Sequence, residues 1–313
     1  MCAAPSAHQQ QSAFLLRIRR AMIAIDWGTS SFRAYRLGSS GQILEARAAP
    51  QGILSVAKHE FTSVLEQQVG DWVLAGEAPI VMSGMVGSRQ GWVEVPYVQC
   101  PAGLEQLSLH LKKVEWSQGE AWIVPGLSYI DASGVPDVMR GEETQLLGVL
   151  DELPAGEETL VCLPGTHSKW ALVRDRRIES FRTYMTGEAF SVLRTHSLLG
   201  RMMEGDAPDE RAFADGIARS DDPGGVLHHL FGVRTRGLFG ELPAARASAY
   251  LSGLLIGHEM RSLEAASFRV LGSSSLASLY LRAAGLLGID AAPFDPDAAA
   301  KGLFRLAAAI RAA

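Results

Sequence analysis

The chain has 313 residues, of which 47% are apolar and 20% charged, with a formal net charge of −5. That length supports two domains with cores of their own. Without a block of Lys or Arg, the charge excludes nucleic acid as the main partner. The longest uncharged apolar run, residues 247–257, is far too short to span a membrane.

The first 21 residues, MCAAPSAHQQQSAFLLRIRRA, read as an appendage, either a disordered extension or a misplaced start, with Met22 a plausible beginning. Their arginines follow the apolar segment, the reverse of a secretory signal. Cys2, Cys100 and Cys162 are scattered without metal-ligand spacing, and three thiols do not suggest a disulfide framework. This usage points to a reduced, cytoplasmic protein.

The first patterned stretch is MIAIDWGTSSFRAYRL. An apolar strand from Met22 ends at Asp26, a turn of Gly28, Thr29, Ser30 and Ser31 follows, and a second strand runs from Phe32 to Leu37. A carboxylate at the end of a buried strand is costly unless a cation meets it. A turn of glycine and hydroxyl residues lets backbone N–H groups converge on an anion. The apolar stretch Ile80–Met82 then leads into SGMVGSRQGW, where Gly84 and Gly87 let backbone approach a small polar ligand. Ser88 and Trp92 could bind or cover that ligand; a plain turn between strands explains the same residues almost as well.

VMRGEETQLLGVL follows, with Leu146, Leu147 and Leu150 at helical spacing and Gly141 before two acids. Glu142 and Glu143 in the first helical turn either complement the helix dipole, which the residues alone favour, or supply a catalytic base. DELPAGEE, residues 151–158, carries the composition shift of a linker.

Beyond it, CLPGTHSKWA repeats IDWGTSSFRA without a gap: Gly28, Thr29, Ser31 and Ala34 correspond to Gly165, Thr166, Ser168 and Ala171. The copies differ in charge, since Asp26 becomes Leu163 while Ser30 and Phe32 become His167 and Lys169. One hairpin could hold a metal through its carboxylate and the other add positive charge, as a clamped nucleoside triphosphate requires. G-T-x-S is also a common hairpin turn, and the match alone leaves the two readings even. FRVLGSSSLASLYLRAAGLLG reads as a strand, a turn with good N-cap residues and a helix, and a last helix is expected over 297–313. P-loop, dinucleotide, H-E-x-x-H and G-x-S-x-G motifs do not occur.

This order of hairpin, glutamate-opened helix, second hairpin and late Gly–Ser turn resembles the actin/Hsp70/sugar-kinase superfamily. Within it the chain from Met22 onward is similar to the 2-dehydro-3-deoxygalactonokinase family, through IAIDWGTSSFRA, MSGMVGSRQGW, IVPGL, VMRGEETQLLG, LPGTHSKW, FRTYMTGE and LSGLLIGHE. The resemblance implies an α/β, two-lobed actin-like ATPase (ribonuclease H-like) fold with a duplicated phosphate-binding hairpin. Lobe I is expected over 22–150 and lobe II over 159–313, with the last helix packing on lobe I and a cleft that closes on ATP.

The resemblance further implies ATP- and Mg²⁺-dependent phosphorylation of 2-dehydro-3-deoxy-D-galactonate, a small-molecule keto-deoxy sugar acid, at its terminal (6-) hydroxyl. Glu142, favoured by register over Glu143, is then the base and Asp26 the Mg²⁺ ligand. Gly28, Thr29, Ser30, Ser31, Gly165, Thr166, His167, Ser168 and Lys169 would hold phosphates, and Gly272, Ser273 and Ser274 the nucleoside. Gly84, Gly87, Ser88, Arg140 and Arg182 would hold the acid, with Arg33 and Arg89 as weaker candidates. An exopolyphosphatase-like phosphohydrolase using Glu142 to activate water, a kinase for the gluconate epimer and a silent sugar-acid sensor are the alternatives. Oligomeric state is left open, a homodimer included.

Overall fold

The computed structural model describes residues 21–294 and 297–312. The expected appendage therefore lies outside the described residues except for Ala21. Two compact units emerge: one takes the chain to Glu157 together with Arg174–Ser180 and Asp297–Ala313, the other Glu158–Val173 and Phe181–Pro296. Residues 174–180 and the last helix thus group with unit 1 rather than with the rest of 159–313.

Unit 1 contains β1 (Met22–Trp27), β2 (Phe32–Leu37), β3 (Ile43–Ala49), α1 (Phe61–Leu74), β4 (Ile80–Ser83), β5 (Val98–Gln99), α2 (Leu104–Leu109), β6 (Lys112–Trp116), β7 (Gly119–Ile123), β8 (Leu127–Ile130), β9 (Pro136–Met139) and α3 (Glu142–Val149). Unit 2 contains β10 (Thr159–Leu163), most of β11 (Ser168–Arg174), the second half of β12 (Arg177–Tyr184), then α4 (Thr186–His196), α5 (Glu210–Arg219), α6 (Gly225–Leu238), α7 (Ala244–Arg261), β13 (Ser267–Val270), α8 (Ser274–Leu287) and β14 (Asp290–Pro293). The last helix, α9 (Ala298–Ala312), belongs to unit 1.

The main sheet of unit 1 has the order β3-β2-β1-β4-β7-β6, and that of unit 2 the order β12-β11-β10-β13-β14. In each, a central apolar strand pairs antiparallel with the next strand and parallel with a later one: β1 with β2 and β4, β10 with β11 and β13. Strands covered on both faces read as continuous apolar runs, as Met22–Ile25 and Val161–Leu163 do. The same five-strand order thus occurs twice, the ribonuclease H-like arrangement. A small third sheet, β5-β8-β9, leads into α3.

In unit 1 the hairpin base is closed by Trp27, edge-on to Phe32 with ring centroids 4.9 Å apart and tilted against Phe61 at 5.2 Å. Trp92 is half-buried and stacks on Phe61 at the edge of this core. Helices α3 and α9 cross at backbone contact. A Cβ on Gly148 would stand 2.0 Å from the Ala298 carbonyl oxygen, and one on Gly302 would stand 1.8 Å from that of Thr144. The acid-bearing helix is therefore fixed from behind by the end of the chain. Unit 2 has one core against its sheet, around Trp170, Phe268 and Tyr280, and another among α4 to α7, around Tyr250, Leu251 and Leu254. No helix of the described residues is long and apolar enough to cross a membrane.

Candidate active site

In unit 1, chemistry gathers at the C-terminal edge of the parallel strands, where open α/β sheets bind ligands. Asp26 lies beside Ser83 across the β1–β4 pair, and Gly84 follows. Gly84 has φ +91°, and a Cβ there would come within 2.8 Å of the Trp27 carbonyl oxygen and 3.3 Å of Asp26 Oδ1. Only glycine meets both demands. Gly141, the residue before α3, stands against the same point: its Cβ would lie 3.3 Å from Gly84 Cα. Thr144 Oγ1 is 2.6 Å from the Gly141 carbonyl oxygen and 3.3 Å from Ser83 Oγ, tying helix to strand. Asp26, Gly84 and the head of α3 are thereby brought together.

Asp26 is half-buried, and burial pushes its carboxyl above the usual carboxylate range while Arg33, its cross-strand partner, pulls it down. Arg33 itself is exposed. The two glutamates have separate environments. Glu142 is half-buried, and its Oε2 accepts the Arg140 N–H at 3.0 Å. Glu143 has no exposed surface; Oε2 accepts the Gly141 N–H at 2.6 Å, and buried Oε1 has no hydrogen-bond partner. Burial first, and the Glu142 charge second, push Glu143 up to about 8.

A stability consequence follows. Folded Glu143 keeps a proton that the unfolded chain gives up near 4.5, so its contribution is fully present below that value and is lost as pH rises through about 8. Relative to the neutral isostere Glu143→Gln, wild type should lose on the order of a few kcal/mol between acid and alkaline conditions. Denaturant unfolding of both proteins at pH 5 and pH 9 checks it; parallel curves would mean that Glu143 is ionised throughout.

Arg140 is half-buried between β9 and α3. Its Nη2 donates to the Val95 carbonyl at 2.7 Å, and its guanidinium carbon lies 4.4 Å from the centre of the Tyr97 ring. Nε and Nη1 are buried without a partner, and so is Ser88 Oγ. A Cβ on Gly87 would be 2.9 Å from Nη1, which places this edge of the guanidinium against the Met85–Gly87 turn. A cationic edge held dry and unpaired is costly unless a ligand supplies an anion. Tyr97 and Val95 lie outside every family-like run, and no periodicity marks them. Arg89 turns to solvent and pairs with Glu94 at 3.4 Å.

In unit 2 the hairpin turn is built differently from its counterpart. Ile25 pairs with Ala34, yet Cys162 pairs with Trp170 rather than with Ala171, so between equivalent positions the second connection is one residue shorter and its register is offset. Gly28 and Ser31 are half-buried and Thr29 and Ser30 exposed, whereas Ser168 and Lys169 are buried. Ser168 Oγ is 2.6 Å from Tyr280 Oη, and Lys169 Nζ donates to Thr183 Oγ1 at 2.8 Å. The expectation that the Ser168 side chain faces a phosphate is corrected: it is fully buried on Tyr280 in unit 2, and the open part of the turn is Gly165, Thr166 and His167.

His167 meets Glu188. The Glu188 N–H donates to the Thr166 carbonyl at 2.9 Å, and a Cβ on Gly187 would be 2.3 Å from the Gly165 carbonyl oxygen, so α4 begins directly on the turn. Gly272 lies beside it, with its Cβ position 3.4 Å from Pro164 Cδ. Ser273 is the N-cap of α8 but makes no side-chain capping bond, and Ser273 and Ser274 are exposed. Arg182 is exposed on β12 in unit 2, and Arg140 belongs to unit 1. A cavity of about 300 Å³, walled mainly by Phe190, Leu255, Leu276 and Leu279, opens beside Gly165. Among the described residues no three His, Cys, Asp or Glu side chains gather as a metal cage.

A ribonuclease H-like sheet present twice, each copy with a hydroxyl-rich hairpin turn, defines an actin-like ATPase or sugar-kinase fold. The family profile for 2-keto-3-deoxy-galactonokinase matches residues 26–306, and the chain belongs to that family. A Rhizobium meliloti (strain 1021) protein, "Probable 2-dehydro-3-deoxygalactonokinase DgoK1", is 39% identical over 92% of this chain and 96% of its own. The 2-dehydro-3-deoxygalactonokinase of Escherichia coli (strain K12) is 35% identical over 88% of this chain and 94% of its own. The crystal structure of a protein assigned as a 2-dehydro-3-deoxygalactonokinase from Sinorhizobium meliloti superposes with a TM-score of 0.85 at 38% identity, covering 93% of this chain and 98% of that one.

Proposed function

We propose that the chain transfers the γ-phosphoryl group of ATP to the terminal hydroxyl of 2-dehydro-3-deoxy-D-galactonate, unit 1 receiving the acid and unit 2 the nucleotide. Family membership supports the kinase and its substrate class. The observation that carries the acceptor's position is Arg140, whose dry Nε and Nη1 match a planar carboxylate or the adjacent keto group. Gly84, Gly87 and Ser88 lie on the same edge, and Glu142, two residues after Arg140, serves as base. Arg182, exposed in the other unit, drops to a secondary candidate with Arg33 and Arg89.

In unit 2 the turn Gly165–His167 takes phosphate oxygens through its backbone amides, Gly272–Ser274 contacts the nucleoside and the neighbouring cavity takes the base. In unit 1, Gly28 to Ser31 do the same for phosphate, and Asp26 holds Mg²⁺ directly or through water. A single carboxylate beside phosphate oxygens is the donor set that Mg²⁺ takes, and the ion supplies charge neutralisation at the phosphates.

A coupled ATP assay over a panel of keto-deoxy acids tests the reading. Turnover should require an acid and prefer the galactonate epimer. ATP hydrolysis at the same rate without acceptor would make the protein a phosphohydrolase.

Arg140→Ala should lower kcat/KM for the keto acid about 10–150-fold, the worth of a charge-assisted bidentate contact, and Arg140→Lys should restore only part of it. The control is a substrate analogue with its carboxylate reduced to an alcohol. Wild type should discriminate strongly against the analogue and Arg140→Ala hardly at all. A variant that keeps the wild-type preference for the acid would move the role to another cation.

A further inference from the structure

Near the end of α7, Glu259 is 3% exposed and surrounded by donors. Its Oε1 accepts the Trp170 indole N–H at 2.6 Å, its Oε2 accepts the Tyr280 hydroxyl at 2.8 Å, and the Thr186 and Ser168 hydroxyls also hydrogen-bond to it. Burial raises its pKa, and these hydrogen bonds act against the rise. The donors come from three different elements. Trp170 is two residues beyond Ser168, which itself bonds Tyr280. Thr186 opens α4 next to Gly187, where that helix rests on the Gly165 carbonyl. Tyr280 is in α8, which starts just after the Gly272–Ser273 turn. Gly165, Thr186 and Tyr280 all line the same 300 Å³ cavity.

We propose that Glu259 is the positioning residue of the nucleotide side of unit 2, a buried acceptor that holds the hairpin turn, the head of α4 and the face of α8 in the arrangement that receives ATP. This rests on the reading of unit 2 as the nucleotide site. A carboxylate has acceptors only, so indole, phenol and threonine hydroxyl must all turn toward it. An amide of the same shape has one acceptor and one NH₂, and the NH₂ would face an indole or phenol donor. A donor left unsatisfied in so dry a place is strongly unfavourable, and the elements would separate to relieve it.

Two variants test this. Glu259→Gln replaces the acceptor; Tyr280→Phe removes the α8 hydroxyl that donates to Glu259 and keeps the ring that packs with Trp170 and Phe268. In folded protein, confirmed by a cooperative melt, each should raise the ADP dissociation constant and the KM for ATP about 10–100-fold, the range for a lost hydrogen bond to a charged group. KM for the keto acid and kcat at saturating ATP should stay within about threefold, a split that a general loss of structure would not produce. If Glu259→Gln does not fold, Tyr280→Phe carries the test. Wild-type ADP affinity in the folded variants, or equal losses for both substrates, overturns the role of Glu259. If calorimetry finds no ADP binding to wild type, the nucleotide reading of unit 2 fails, and this role fails with it.

Discussion

Glu142→Gln should lower kcat about 10²–10⁴-fold, the range of a general base, and leave ATP affinity near wild type. Phosphoryl transfer passes through a loose transition state, so the base orients the acceptor hydroxyl and takes its proton late. A carboxylate that is ionised and within reach of ligand suffices. Glu142 is half-buried at the first position of α3, and its Oε2 accepts the Arg140 backbone N–H. Glu143 fails on both counts: it has no exposed surface and, pushed up to about 8, holds a proton at neutral pH. Glu143→Gln therefore copies the neutral state and should cost little in kcat. The pair of single variants, with kcat from the coupled assay and ADP affinity from calorimetry, separates the roles. A large kcat loss in Glu143→Gln with a small one in Glu142→Gln would make the buried acid the base.

What was legible in the sequence depends on how local its cause is. The hairpins around Gly28 and Gly165 are visible because a buried strand, a turn of small residues and a second strand are contiguous, and the two copies align without a gap. The start of α3 is visible for the same reason, since Gly141 and two acids precede leucines at helical spacing. The inward turn of Ser168 is a matter of pairing that the sequence does not display. An ungapped match carries no record of register, and a one-residue offset redirects the side chains at the turn. The packing of Trp92 on Phe61 has no sequence signal, because a lone aromatic after a glycine turn has no period that would assign it to the core. Tyr97 and Val95, which give Arg140 its setting, are more than 40 residues from it in the chain. Glu259, Trp170 and Tyr280 meet only because α7, β11 and α8 pack together; LSGLLIGHE was a family-like run whose acid had no assigned task.

The charge of Asp26 is the other quantity on which the reaction should depend most. Asp26→Asn keeps the shape at the end of β1 and removes a negative charge from a half-buried position. Charge stabilisation by a bound metal amounts to several kcal/mol, so losing its ligand should lower kcat about 10²–10³-fold or more. The Mg²⁺ concentration for half-maximal rate should rise in the variant, a shift that a role in folding alone would not produce. The pH dependence has a fixed sign. Burial holds the Asp26 carboxyl above the usual range, so in free enzyme it gains a proton as pH falls through that raised value, and activity should decline on the acid side earlier than an exposed aspartate would dictate. Arg33 opposes this, and Arg33→Ala should move the acid limb further up in pH. Near-normal turnover of Asp26→Asn at saturating Mg²⁺, with an unchanged Mg²⁺ requirement, would take Asp26 off the metal and leave it as the partner of Arg33 across the hairpin.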